Sequence, residues 1–393
     1  MGLRLVRLPA MCGRKNLRKH APGGRSPMKI TAVEPIWVAL PYEHGAPKPQ
    51  RHGMGYWATQ DIMFMRVETD AGITGWGEAF GNASSPVTLA AIRDVIGPVS
   101  VGRECDDVES LMHDLTRRTQ SMARSGPVQF ALSGLDIALW DIAGKRAGKP
   151  VWEMLGGEKR DSIPAYASLF RLSQPDLVAK VSGAAAARGY DHIKLHEHSV
   201  EAVVAARGAI GPSRSLMVDT NCYWDKVDDV VAFCAAAEPY NLRWLEEPLY
   251  PVDRYDMLAE ARRRVNVPLA VGENLGNIQD ARWLAQAQGA DVVQPSVAKI
   301  GGITQTWKIL HLLKEQGIEA VPHSPFVGPA LIAAIHMIAA MEGDVVCEHR
   351  FCDLGGHPIG EANVSKGGRL TVPQGPGLGI TVDEKEVARF RKA

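Results

Sequence analysis

The chain has 393 residues, 46% of them apolar, and 44 basic against 44 acidic groups, a length that suits two ordinary domains or one large barrel with additions. No apolar run reaches the roughly 18 residues of a membrane span. The zero net charge is a sum of unlike parts, because residues 1–27 hold seven Arg or Lys and no acid, and the remainder carries seven more acidic than basic groups; a globular part of that sign argues against nucleic acid as a partner.

Residues 1–27 form a basic leader. It is Arg-rich and acid-free like a targeting peptide, but it lacks an apolar core, which favours a disordered extension ahead of Met28. The six cysteines make no Cys-x-x-Cys pair, so neither a zinc site nor a disulfide framework is indicated, and a cytoplasmic setting is the default. Residues 28–157 read as an α+β unit. It opens with a three-stranded meander: 28–40, Ile62 to Thr69 and Gly72 to Glu78, with Asp70-Ala-Gly as a turn. A polar loop, Tyr42 to Trp57, interrupts it and holds His44, Arg51 and Tyr56. Helical stripes follow, and the stretch Phe130 to Gly144 is apolar nearly all round and hence buried.

From residue 158 to 354 strands and helices alternate. Strand candidates are Ile163–Arg171, His192–His198, Ser215–Asn221, Leu242–Pro248, Pro268–Asn274, Ala290–Ser296, Ile318–Ser324 and Asp344–Arg350. Eight strands with helices between them predict a parallel barrel. No Gly-rich phosphate loop follows an early strand, which weakens the rival open doubly wound sheet. Residues 355–393, rich in Gly and Pro, read as irregular chain returning over the first unit.

Three successive strand candidates end in a carboxylate: Asp219, Glu246 and Glu273, spaced 27 residues apart. One strand, one helix and two loops fill such a repeat, so the acids fall side by side at the C-terminal rim, where barrel chemistry sits. Three hard oxygen ligands favour a magnesium-type ion. The second strand offers Lys194, His196 and His198 at alternate positions, the sixth ends at Ser296, the seventh at His323, and the eighth holds Glu348. Bases on strands two and seven lie across the barrel from each other. That arrangement suits removal of the weakly acidic α-proton of a carboxylate beside a divalent cation.

In order, Asp70-Ala-Gly-Ile-Thr-Gly-Trp-Gly-Glu78, Leu135-Asp-Ile-Ala-Leu-Trp-Asp141, Leu155-Gly-Gly157, Asp219-Thr-Asn221, Glu246-Glu-Pro248, Gly272-Glu-Asn274, Lys299-Ile-Gly-Gly-Ile-Thr304 and Pro376-Gly-Leu-Gly379 make the chain resemble the enolase superfamily, and within it the mandelate racemase/muconate lactonizing enzyme family. The resemblance implies an α/β fold, a modified TIM barrel (β/α)7β under an α+β capping domain. It implies Mg2+ on Asp219, Glu246 and Glu273, with Glu247 a neighbour and not a ligand. His196 and His323 become the candidate bases, Lys194 a charged neighbour, and Glu348 the acid that meets the enolate oxygen opposite the metal. The family's Asp behind the strand-seven histidine is replaced by Ser296, which can orient His323 but adds no charge. Asn221, His44, Arg51 and Tyr56 are expected near a small carboxylate substrate, and a homo-oligomer is expected from the family. Dehydration of an acid sugar is the leading expectation. Racemisation or epimerisation, and lactone cycloisomerisation, remain open, as does a non-catalytic descendant of the family.

Overall fold

The computed structural model describes residues 27–392 apart from 48–50, 53, 54, 57 and 83, and describes the backbone but not the side chains of 51, 52, 55 and 56. The leader therefore lies outside the described residues, except Pro27. Among those described, no helix is long and apolar enough to cross a membrane.

The meander is present as expected. Strand Ile30–Leu40 pairs antiparallel with Gln60–Thr69, which pairs antiparallel with Thr74–Ala79. Helix Pro127–Ala147 crosses its face, opened by a proline and closed by left-handed Gly148. Gly75 and Gly77 are required by this crossing: a Cβ on either would collide with the helix backbone at Ala138 or Gly134. The Thr-Gly-Trp-Gly-Glu pattern is therefore a packing signature.

The barrel strands, counted one to eight, are Ser162–Ser168, His192–Leu195, Ser215–Asp219, Leu242–Glu246, Leu269–Val271, Val292–Val293, Glu319–Ala320 and Cys347–Arg350. Strands one to seven pair in parallel in chain order, and strand eight returns to pair in parallel with strand one. A helix follows each of strands one to seven, which is the (β/α)7β order. Between strands seven and eight no ladder forms among the described residues; Ser324 Oγ donates instead to the Glu348 carbonyl at 3.1 Å. Tyr166, Met217, Trp244, Ala270, Val292, Val321 and Val346 fill the lumen, so the barrel is a packed core and not a pore.

The ladders are shorter than the sequence suggested, for a local reason. Pro295 and Pro322 cannot donate to a ladder, so strands six and seven stop before them and resume as a single parallel bridge between Ser296 and His323. Strand four stops at Glu246 because Glu247 adopts φ +43°, and after strand three Asn221 and Cys222 are left-handed at +49° and +59°. Each chain thus leaves its ladder at or just before the residues of chemical interest.

Cap and barrel are joined by buried carboxylates that accept from backbone N–H groups. Glu78 accepts from Ala330 N at 2.8 Å, in the first turn of helix Pro329–Ala340. Asp136 accepts from Thr304 N at 2.9 Å, in the first turn of helix Gly302–Glu315. Glu78 and Asp136 thereby each satisfy an orphan N–H group of a barrel helix start. Asp141 instead ties the cap to the C-terminal segment: it accepts from Trp76 N and Leu378 N, both at 2.9 Å, and pairs with Lys145. Beyond the barrel, Arg369–Thr371 pairs antiparallel with strand one, and Lys392 N donates to Trp37 O at 2.8 Å, at the cap.

Candidate active site

Asp219 and Glu246 are register partners on strands three and four, and Glu273 lies two residues beyond strand five. One oxygen from each of the three lies within 4.8 Å of the others. Each carboxylate has a distinct setting. Asp219 Oδ1 accepts from Asn221 N at 2.8 Å and Asn221 Nδ2 at 3.0 Å, while its Oδ2 is buried without a hydrogen-bond partner. Glu246 Oε1 takes the Lys194 ammonium at 2.7 Å, and Oε2 accepts from Trp244 Nε1 and Gln294 Nε2, both at 2.9 Å. Glu273 Oε2 lies 2.8 Å from His323 Nε2, and its Oε1 is 3.5 Å from Lys299 Nζ.

Glu247 points away from this cluster. Its Oε1 accepts from Gly272 N at 2.8 Å, and its Oε2 is 3.6 Å from Cys222 Sγ. It staples strand four to the end of strand five.

Lys194 is wholly buried and is held by Glu246 at 2.7 Å, Glu348 at 2.8 Å and, more distantly, Asp219 at 3.7 Å. Burial works to strip its charge, but the surrounding carboxylates keep it well above an ordinary lysine, so it is a fixed cation. Glu348 also accepts from Ser168 Oγ at 2.8 Å and Ser324 N at 3.1 Å. Burial would raise it, yet Lys194 and His323 hold it far below the usual carboxylate range. Burial would likewise raise Glu273, and Lys299 and His323 reverse the sign. Four carboxylates thus converge on two ammonium groups, and Asp219 Oδ2 accepts no hydrogen bond, with His196 Nε2 at 3.2 Å and Lys194 Nζ at 3.7 Å beside it. A buried excess of hard anionic oxygen, with one atom unsatisfied, fits a divalent cation.

Two histidines flank the triad. His196 stands just beyond strand two; its Nδ1 bonds to the Leu169 carbonyl, which makes Nδ1 the protonated nitrogen and leaves Nε2 facing Asp219 Oδ2 at 3.2 Å. His323 arrives from strand seven with Nδ1 at 3.0 Å from Ser296 Oγ, and its Nε2 faces Glu273. The bridge between Ser296 and His323 fixes that contact.

Other expected positions fall elsewhere. His198 leaves the strand-two face and stacks on Tyr223, with ring centroids 3.9 Å apart. His44, expected in a solvated loop, is buried against Phe170 at 4.8 Å between centroids. Arg51 and Tyr56 are register partners in a short antiparallel pair, and their side chains lie outside the described residues. The sequence reading missed Lys299, Gln294, Trp244 and Arg171 as site residues. Lys299 stood in a quoted motif, but its contact with Glu273 spans two barrel loops. Arg171, just past strand one, gave no sequence signal.

Residues 38–156 match the model of the mandelate racemase/muconate lactonizing enzyme N-terminal domain, and residues 176–386 match that of the enolase C-terminal domain-like family. The chain is 33% identical to a D-galactonate dehydratase family member from Catenulispora acidiphila over 84% of this chain and 85% of that protein. It is 30% identical to a D-galactarolactone cycloisomerase from Agrobacterium fabrum over 93% of this chain and 99% of that one. A crystal structure of a racemase from Streptomyces coelicolor A3(2) with bound magnesium superposes with a TM-score of 0.80 at 25% identity, covering 92% of this chain and all of that one. The chain belongs to the mandelate racemase/muconate lactonizing enzyme family of the enolase superfamily.

Proposed function

We propose that this protein removes the α-proton of an acid sugar at a Mg2+ site held by Asp219, Glu246 and Glu273, and expels water to give a 2-keto-3-deoxy acid. The observation that carries the reading is the pair of histidine Nε2 atoms aimed at the carboxylate triad from strands two and seven, each ring tied at Nδ1. Magnesium, which Asp219, Glu246 and Glu273 would hold, would supply positive charge against the charge that grows on the substrate carboxylate as the proton leaves. His196, with Nδ1 pinned to a carbonyl, offers Nε2 as proton acceptor on one face. His323 stands on the other face as acceptor, or as donor to the departing hydroxyl. Lys194, at 2.7 Å from Glu246 and 2.8 Å from Glu348, holds both carboxylates in place. Dehydratase relatives support the elimination, and the magnesium-containing racemase supports the metal.

Lactone cycloisomerisation is the second reading, favoured by the galactarolactone cycloisomerase, which matches over nearly its whole length. Incubation with Mg2+ in D2O and a panel of aldonic acids, aldaric acids and their lactones separates the two. A 2-keto product with water lost marks the dehydratase, and an isomeric product from a lactone marks the cycloisomerase. If no acid or lactone loses or exchanges its C2 proton, or if a Glu246→Gln variant is fully active, the proposal is removed.

A further inference from the structure

The cations around the triad are not used alike. Lys194 is closed in by carboxylates, and Lys299 sits 3.5 Å from Glu273. Arg171 is different. It follows strand one, is half-buried, and extends over the ends of strands two and three. Its Nε donates to the His196 carbonyl at 3.0 Å and its Nη2 to Asn221 Oδ1 at 3.2 Å. Both acceptors are neutral, and no carboxylate among the described residues forms an ion pair with it. Asn221 Nδ2 donates in turn to Asp219 Oδ1 at 3.0 Å, so the guanidinium lies two hydrogen bonds from the triad.

A guanidinium has five donors in a planar fork that matches a carboxylate. Here Nε and one hydrogen of Nη2 are engaged, which leaves the Nη1/Nη2 end free for a bidentate partner. His198 lies close enough to feel the charge: burial first, and Arg171 second, push its imidazole below the ordinary value. His198 in turn lies flat on Tyr223, which is 54% exposed, so an aromatic wall stands next to the cation at the mouth. A half-buried guanidinium that forms no ion pair is costly to enclose. A substrate with a single carboxylate, committed to the triad, leaves that cost standing; a second carboxylate on the same substrate relieves it.

We propose that Arg171, with Asn221 and the His198–Tyr223 pair beside it, forms a distal anion subsite, and that the substrate is a dicarboxylic acid sugar held by one carboxylate at the triad and by the other at Arg171. This rests on the reading of the triad as the proton-abstraction site. A purely structural Arg171, a strut between the His196 loop and Asn221, would affect all acids alike.

The test is calorimetric binding to the full chain in Mg2+, with galactarate against galactonate, glucarate against gluconate, and gluconate 6-phosphate as the phosphate arm. Wild type should bind at least one aldarate tenfold or more tighter than its matched aldonate. Arg171→Gln should collapse that ratio toward one, and Arg171→Lys should recover part of it. Equal affinity of aldarate and aldonate in wild type, or a ratio that survives Arg171→Gln, overturns the subsite. Tightest binding by the 6-phosphate, lost in Arg171→Gln, overturns the dicarboxylate assignment in favour of a distal phosphate. Loss or exchange of the C2 proton in D2O, read on the same samples, reports separately on the proton-abstraction reading. Selectivity with neither loss nor exchange sinks that reading and keeps the subsite, whereas loss or exchange without selectivity sinks the subsite alone.

Discussion

Lys194 shows how one side chain's role depends on its company. A lysine beside a histidine on a barrel strand could be a base, a substrate contact or a counter-ion. Glu246 at 2.7 Å, Glu348 at 2.8 Å and complete burial decide for the counter-ion. Removing one partner from a buried ionic cluster leaves uncompensated charge and costs about 3–5 kcal/mol. Lys194→Met should therefore lose stability of that order in urea unfolding without added Mg2+. A midpoint equal to wild type would mean that the carboxylates do not depend on it. Glu246 and Glu247 are the complementary case. Adjacent and chemically alike, they diverge because Glu247 itself is left-handed, which sends the Glu246 carboxylate to the triad and the Glu247 carboxylate to Gly272 N. Their order in the motif suggested this division, and the backbone turn supplies its cause.

At the level of elements, the cap rests on helix starts, and burial there competes with the hydrogen bonds. Burial pushes Glu78 up to about 8 in spite of backbone donors at Ala330 and Gly328, and Asp136 up to about 7 against donors from Thr304 and Ile303. A carboxylate raised in the folded state favours folding at low pH, and that contribution fades as pH climbs from the unfolded value toward the folded one. For Glu78 the window runs from 4.5 to about 8, and the whole effect is at most about 5 kcal/mol at roughly 1.4 kcal/mol per pH unit. Glu78→Gln keeps an acceptor and removes the charge. Its melting temperature should match wild type near pH 5 and exceed it near pH 9; parallel pH profiles would show that Glu78 ionises freely. The strands taught a related lesson. The alternation and order of all eight were legible, yet their ends were not, because prolines and left-handed residues cut the ladders where the extended sequence pattern continued.

The molecule as a whole packs around three apolar cores among the described residues: the cap's around helix Pro127–Ala147, the barrel lumen, and a large one around the barrel strands and outer helices that also takes in one face of the meander. Contact between cap and barrel is tight at Gly302, whose φ is +74° and where a Cβ would run into the Asp136 side chain. Gly102, with φ +83°, has open space around it. Alanine at either position carries the backbone cost of a positive φ, on the order of 1–3 kcal/mol. Gly302→Ala should cost more than Gly102→Ala and should split cap from barrel in calorimetric unfolding. Equal losses in the two variants would show that the junction yields without penalty.

Sequence alone determined what repeats and what is local. It carried the antiparallel meander, the strand–helix alternation, and three carboxylates at 27-residue intervals, since each acid only has to follow its own strand to reach the rim. Tertiary structure decided every contact between distant segments. It tied His196 to Leu169 and His323 to Ser296, buried His44 on Phe170, seated Glu78 and Asp136 on barrel helices, and brought Arg171 to Asn221. Those partners lie on different strands and loops, and closing the barrel is what sets them side by side.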